Sequence, residues 1–190
     1  MARDALNLVW MDLETTGLDA ETCSILEIAT IVTDKDLNVL EEGPDLVIHQ
    51  PDPILGSMDP WCITQHGATG LIDASRRSTV TLEVATEQTL SFLLKHCPKG
   101  MCPLCGNSIC FDRRFLIRHM PQIDAFLNYR QVDVSSIKEL VARWYPELIR
   151  SMSNEKTSAH RALQDIQESI AELRTYRAAV FREKVHGNAA

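Results

Sequence analysis

Residues Asn7–Leu18 read NLVWMDLETTGL, an apolar run that ends by placing two acids, Asp12 and Glu14, two positions apart. In a strand, residues i and i+2 face the same side, about 6.6–6.8 Å apart along the chain, so both carboxylates project together from the strand's end. Carboxylates that close repel each other, and the repulsion is relieved when one is protonated or when both share a cation. Hard oxygen ligands of this kind suit Mg2+ or Mn2+. The segment alone leaves a second reading open, in which DLETTGL simply turns the chain and both acids lie in water.

The chain around it has 190 residues, 45% hydrophobic and 24% charged, which predicts one globular domain over 1–190 with a real core. Its net charge of −7 weighs against a long DNA or RNA partner, because proteins that track long nucleic acids neutralise many phosphates with Lys and Arg. A short anionic substrate at one site remains compatible, provided that metal ions supply the positive charge. No run of about eighteen apolar residues is present, so no membrane span is expected. The opening MARDALNLVW is interrupted by an acid and lacks the apolar region of a signal peptide, so the reading expects a cytoplasmic protein.

Outward from the opening stretch, Leu6 to Leu13 predicts a strand. SILEIATIVTD predicts a second, turning at Asp34-Lys35-Asp36 into LNVLEE, with DLVIHQ after it. These short connections suggest an antiparallel meander. Residues 51–80 are rich in Pro, Gly and polar residues and are expected as a surface excursion with a short helix near Trp61. A helix over 82–95, a strand from Leu104 to Phe111 and a helix from Arg113 to Met120 stopped by Pro121 follow. A strand ending near Val134 leads into a helix that Ser136 and Glu139 would open as a capping box. Its apolar face is Ile137, Leu140, Val141 and Trp144, and it ends before Pro146. A last helix, 161–184, carries Leu163, Ile166, Ile170, Leu173 and Val180. The fold class is therefore α/β, a mixed sheet with helices packed against it.

Two further places bear on the acids. Asp112 follows the strand that ends LCGNSICF and opens the next helix; alone, it would be an ordinary acid favoured by the helix dipole. SAHRALQDI places His160 at the mouth of the last helix and Asp165 inside it, so both can approach one cavity. The combination says more than any member.

The motifs WMDLETTGL, GNSICFDRRFL and SAHRALQDI, in this order across nearly the whole chain, resemble the DEDD superfamily of 3′→5′ exonucleases, in the subgroup whose last motif carries histidine. MDPWCITQHGATGL, NYRQVDVSSIKELVARWYPE and the chain length narrow the resemblance to the oligoribonuclease family. That resemblance implies a ribonuclease H-like fold, a homodimer, and activity on single-stranded RNAs of two to five nucleotides. It implies two divalent cations, Mg2+ or Mn2+, on Asp12, Glu14, Asp112 and Asp165, with His160 as general base. By the same resemblance, Leu18 and Trp61 would meet the bases and His66 a sugar or phosphate. Ser108, Arg130 and Ser135 would cap a 5′-phosphate, and Tyr129 would be offered across the dimer. Read bottom-up, Trp61 also fits as core filling, Arg130 as a surface ion pair and Ser135 as a helix cap.

The sequence departs from the family pattern in its cysteines. Cys97, Cys102, Cys105 and Cys110 crowd one segment, where Cys-Pro-Leu-Cys-Gly is half of a zinc ribbon, but their spacing does not supply the second half. The simpler expectation is a buried strand using Cys as a small hydrophobe. Two other functions stay in view: an exonuclease of the same subgroup acting on longer RNA or DNA 3′ ends, and a non-catalytic zinc-dependent binding module.

Overall fold

The computed structural model describes residues 3–152 and 161–181. Five strands form one mixed sheet: β1 Leu8–Thr15, β2 Ile25–Thr33, β3 Val39–Val47, β4 Pro103–Gly106 and β5 Asn128–Asp133. Their order is β3-β2-β1-β4-β5, with β1, β2 and β3 antiparallel and β1, β4 and β5 parallel. The expected meander and mixed sheet are present. The helices among the described residues are α1 Asp52–Gly56, α2 Pro60–Ala68, α3 Leu71–Arg77, α4 Leu82–His96, α5 Cys110–His119, α6 Pro121–Phe126, α7 Val134–Trp144, α8 Pro146–Met152 and α9 Ala162–Val180.

Period-two alternation sends the two sides of β1 into different cores. Val9, Met11 and Leu13 join Phe92 and Leu93 of α4, Phe115 and Leu116 of α5 and Ile123 of α6. Trp10 lies on the other face, with Val141 of α7 and Ile166, Ile170 and Tyr176 of α9. Its indole N–H donates to Thr33 Oγ1 at 3.0 Å, so the largest core side chain is satisfied. Asp12 and Glu14 continue the Trp10 face toward the N-terminus of α9, where the apolar cover stops.

Several boundaries differ from those expected. LNVLEE and DLVIHQ fall in one strand, β3, which tolerates Gly43-Pro44 because it is an edge and its register shifts there. A Cβ on Gly43 would lie 2.5 Å from the Phe92 ring, so α4 can sit on β3 only over glycine. The 51–80 excursion contains three short helices rather than one. The Cys-rich strand stops at Gly106, not Phe111: Ser108 takes φ 51°, a left-handed turn that no strand continues, and α5 begins at Cys110. Asp133, not Ser136, opens α7; its carboxylate accepts from Ser135 N at 2.9 Å. Helix α7 ends at Trp144, before Pro146 as expected, and Pro146 itself starts α8, where proline suits the first helical turn. Helix α9 ends at Val180.

The cysteines behave as small hydrophobes. Cys97, Cys102 and Cys105 are buried in the two cores, and the Cys102 and Cys105 thiols donate to the Asp4 and Pro103 carbonyls. The hydrogen bond with Cys102, then burial, pushes the Cys97 thiol up, while the same bond holds Cys102 down. Burial pushes the Cys105 thiol up, against the thiolate that zinc needs, and Cys110 lies exposed at the start of α5.

Candidate active site

The parallel strands β1, β4 and β5 end on the same edge of the sheet, where α5, α7 and α9 all begin. Crevices at the carboxyl ends of strands, next to a change in strand direction, are where open α/β sheets bind ligands. Asp12 and Glu14 come from the end of β1, and Asp165 from the first turn of α9. One oxygen from each of these three carboxylates lies within 4.8 Å of the others. Among the described residues they are the group of three or more side chains placed to hold a metal ion.

Asp112 stands beside them with a bond of its own. Strand β4 pairs with β1 only at Val9 and Trp10, and Leu13 N donates instead to Asp112 Oδ1 at 2.9 Å. The bond fixes α5 to the strand that carries the other two acids.

The electrostatics are those of a site built to be neutralised. Burial, then Asp112, Glu14 and Asp165, raises the Asp12 carboxyl well above its ordinary range. Burial together with Asp165, Glu27 and Asp112 pushes Glu14 up to about 8, against a smaller opposing pull from Arg161. Burial lifts Asp112 to about 7 although the Leu13 amide favours its charged form. Such a set is unfavourable without counter-charge, and an oxygen-only donor set fits a hard divalent cation.

His160 lies outside the described residues, but the residue after it is firmly held. Arg161 clamps the fully buried Glu27 carboxylate through Nε at 2.9 and 3.1 Å and through Nη2 at 2.5 Å. Ala162 N adds a bond to Glu27 Oε2 at 3.1 Å, so a carboxylate from β2 caps α9. Sequence reasoning missed this pair. Its signal was an acid in the middle of ILEIATIVT, a strand buried along its whole length, where a charge requires a partner.

The predicted substrate residues fall into two groups. Leu18 and Trp61 are exposed, 76% and 57%, too open for Trp61 to be core filling. His66, on the same helix α2, is buried to 1%; its Nε2 meets Thr15 O at 2.9 Å, and its Nδ1 is 3.8 Å from Glu14 Oε2. It therefore stands behind Glu14 rather than open to a sugar. The second group joins the ends of β4 and β5. Ser108 N donates to Ser135 Oγ at 2.9 Å and to Asp133 Oδ1 at 3.0 Å, and the two serine hydroxyls are 3.1 Å apart. Tyr129, 74% exposed, carries the Arg130 guanidinium 4.6 Å over its ring.

A family model described as an exonuclease, of the RNase T type, matches residues 9–173. The chain is 56% identical over 176 residues to an oligoribonuclease of Vibrio cholerae, covering 93% of this chain and 96% of that one. It is 57% identical over 175 residues to one of Dichelobacter nodosus, covering 92% and 95%. The chain belongs to the oligoribonuclease family. As a member it is a 3′→5′ exoribonuclease, and the binding-module reading falls away. The fold is also that of exonuclease I: an E. coli structure in complex with a dA16 oligonucleotide matches with TM-score 0.72 at 18% identity, covering 90% of this chain. A moderately thermophilic exonuclease I from Methylocaldum szegediense matches with TM-score 0.69 at 24% identity and 92% coverage. The chain spans only 41% of either of those proteins, about two-fifths of their length. Among oligoribonucleases it matches nearly end to end.

Proposed function

We propose that this oligoribonuclease-family chain removes nucleoside 5′-monophosphates from the 3′ ends of single-stranded RNAs of two to five nucleotides, working as a cytoplasmic homodimer. The observation that carries the reading is the cluster of Asp12, Glu14 and Asp165, whose burial and mutual repulsion disfavour bare carboxylates and suit a bound cation. With Asp112 these residues would hold two divalent cations, Mg2+ or Mn2+. Such cations supply an acidified water and a counter-charge for the leaving 3′-oxygen. His160 would take the proton of the attacking water as general base. The Leu13 amide does not react; it holds Asp112 in place, and His66 packs behind Glu14 with Nδ1 3.8 Å from its carboxylate.

Short substrates need recognition at both ends. Leu18 and Trp61 lie exposed beside the acids, one on the loop after β1 and one on the helix behind Glu14, and offer apolar and aromatic faces to bases of any sequence. At the far side, the Ser108 hydroxyl and the Arg130 guanidinium offer donors suited to a terminal phosphate, and Ser135 backs Ser108 by accepting from its amide. Tyr129, exposed and stacked under Arg130, would contribute its ring across the interface of the proposed dimer, a role its exposure supports. A cap of this kind closes the groove to longer chains.

A series of 5′-labelled RNAs from dimers to decamers, each with Mg2+, Mn2+ or chelator, tests the reading. Turnover should be fastest on the shortest chains, release monophosphates, and vanish with chelator. Rates that rise with length would favour the reading in which longer RNA or DNA ends are the substrate.

A further inference from the structure

Between the first turns of α9 and the hydroxyl pair runs a chain of hydrogen bonds. Asn107 Nδ2 donates to Ser169 Oγ at 2.9 Å and to Glu172 Oε2 at 3.1 Å, and Asn107 Oδ1 accepts from Ser135 Oγ at 3.0 Å. The neighbours fix these directions. Ser169 gives its own proton to the Asp165 carbonyl at 2.9 Å, so its oxygen is left to accept. The buried Glu172 carboxylate takes the Tyr176 hydroxyl at 2.7 Å and faces Lys138 Nζ at 3.3 Å. A flipped Asn107 would set its oxygen against that carboxylate. The amide therefore has one orientation, and it turns the Ser135 proton inward. Ser135 Oγ accepts from Ser108 N, which leaves Ser108 as the hydroxyl whose proton can turn toward an anion.

The network also joins two parts of the site. Ser169 and Glu172 follow Asp165 at i+4 and i+7, so one face of α9 carries both an acid of the cradle and the anchors of Asn107. Asn107 in turn holds the serine pair at the ends of β4 and β5.

We propose that Asn107 and Glu172 are positioning residues which fix the spacing between the acid cradle and the Ser108–Ser135 pair, and so set the RNA length that the enzyme prefers. The inference rests on the reading of Ser108 and Ser135 as the 5′-phosphate cap. Neither residue touches the substrate. Their effect is to hold the serine pair at a fixed place relative to the acid cradle.

The test compares wild type, Asn107→Ala and Glu172→Gln on a 5′-phosphorylated dinucleotide and a pentanucleotide. Glu172→Gln keeps the shape but confronts the Asn107 amide with another N–H donor, so it is informative even if Asn107→Ala folds poorly. In either variant the dinucleotide-to-pentanucleotide ratio of kcat/KM should fall by roughly tenfold, the scale of one hydrogen bond to a charged group. The loss should appear mainly in KM for the dinucleotide. Equal losses on both lengths, or an unchanged ratio in a folded Glu172→Gln protein, would overturn the inference. A wild-type enzyme without preference for the dinucleotide would instead defeat the underlying functional reading.

Discussion

Glu14 on β1 and Glu27 on β2 face each other in the same cross-strand pair, and the protein treats them in opposite ways. Like charges directly opposed destabilise a sheet unless each finds a partner. Glu27 has one: the Arg161 guanidinium and the Ala162 amide leave a buried carboxylate fully hydrogen-bonded. Glu14 instead has no such partner: burial, then Asp165, Glu27 across the strand and Asp112, pushes its carboxyl up to about 8. The same residue type, one strand apart, serves folding in one place and stores repulsion in the other. A hard divalent cation would neutralise such a cluster.

Three substitutions or conditions can break or sharpen that contrast. The largest effect belongs to Asp12→Asn, which should reduce turnover on the order of 10³-fold, the scale of removing a preorganised electrostatic group. The same change relieves repulsion, so the metal-free protein should melt roughly 2–4 °C higher, as expected for about 1 kcal/mol in a chain of this size. A metal-free protein that melts lower would mean that Asp12 serves the fold. Glu27→Ala should do the reverse and destabilise by about 2 kcal/mol, less than a fully buried pair because Arg161 is partly exposed. Denaturant melts check this, and an unchanged midpoint would remove the clamp from the account.

The third is the pH dependence of the chelated protein. An acid whose folded-state pKa lies above its unfolded value contributes stability at low pH and loses it as pH rises through the folded value. For Glu14 the window runs from its ordinary 4.5 to about 8, and for Asp112 from 3.8 to about 7. Melting temperature in chelator should therefore fall as pH climbs through this range, and saturating Mg2+ should flatten the fall. A rise with pH in chelator would contradict the repulsive cradle.

Much of this was legible in the sequence, for reasons that can be named. Asp12 and Glu14 stand out because charge at the end of an apolar strand is costly, and the strand period puts them on one side. Asp112 and Asp165 needed the motif order, since each alone is an ordinary acid near a helix start. Local patterns failed where local chemistry had competitors. Asp133 took the cap that Ser136 seemed to offer, because β5 delivers its carboxylate to the Ser135 amide. The three helices between 51 and 80 are too short to show a period. Asn107 and Arg161 were invisible for another reason: their partners lie 62 and 134 residues away, and only the folded sheet brings them together.

The central claim is that the acids at the end of β1 wait for cations, and one calorimetric experiment addresses it directly. Mn2+ is titrated into the metal-free protein at pH 7 in two buffers that differ in ionisation enthalpy, for wild type and Asp12→Asn. Carboxyls raised to about 7 and about 8 still hold protons there, so binding should release about one proton or more per chain. Asp12→Asn should lose most of the binding. Mn2+ binding without proton release, or binding unchanged in Asp12→Asn, would contradict the account.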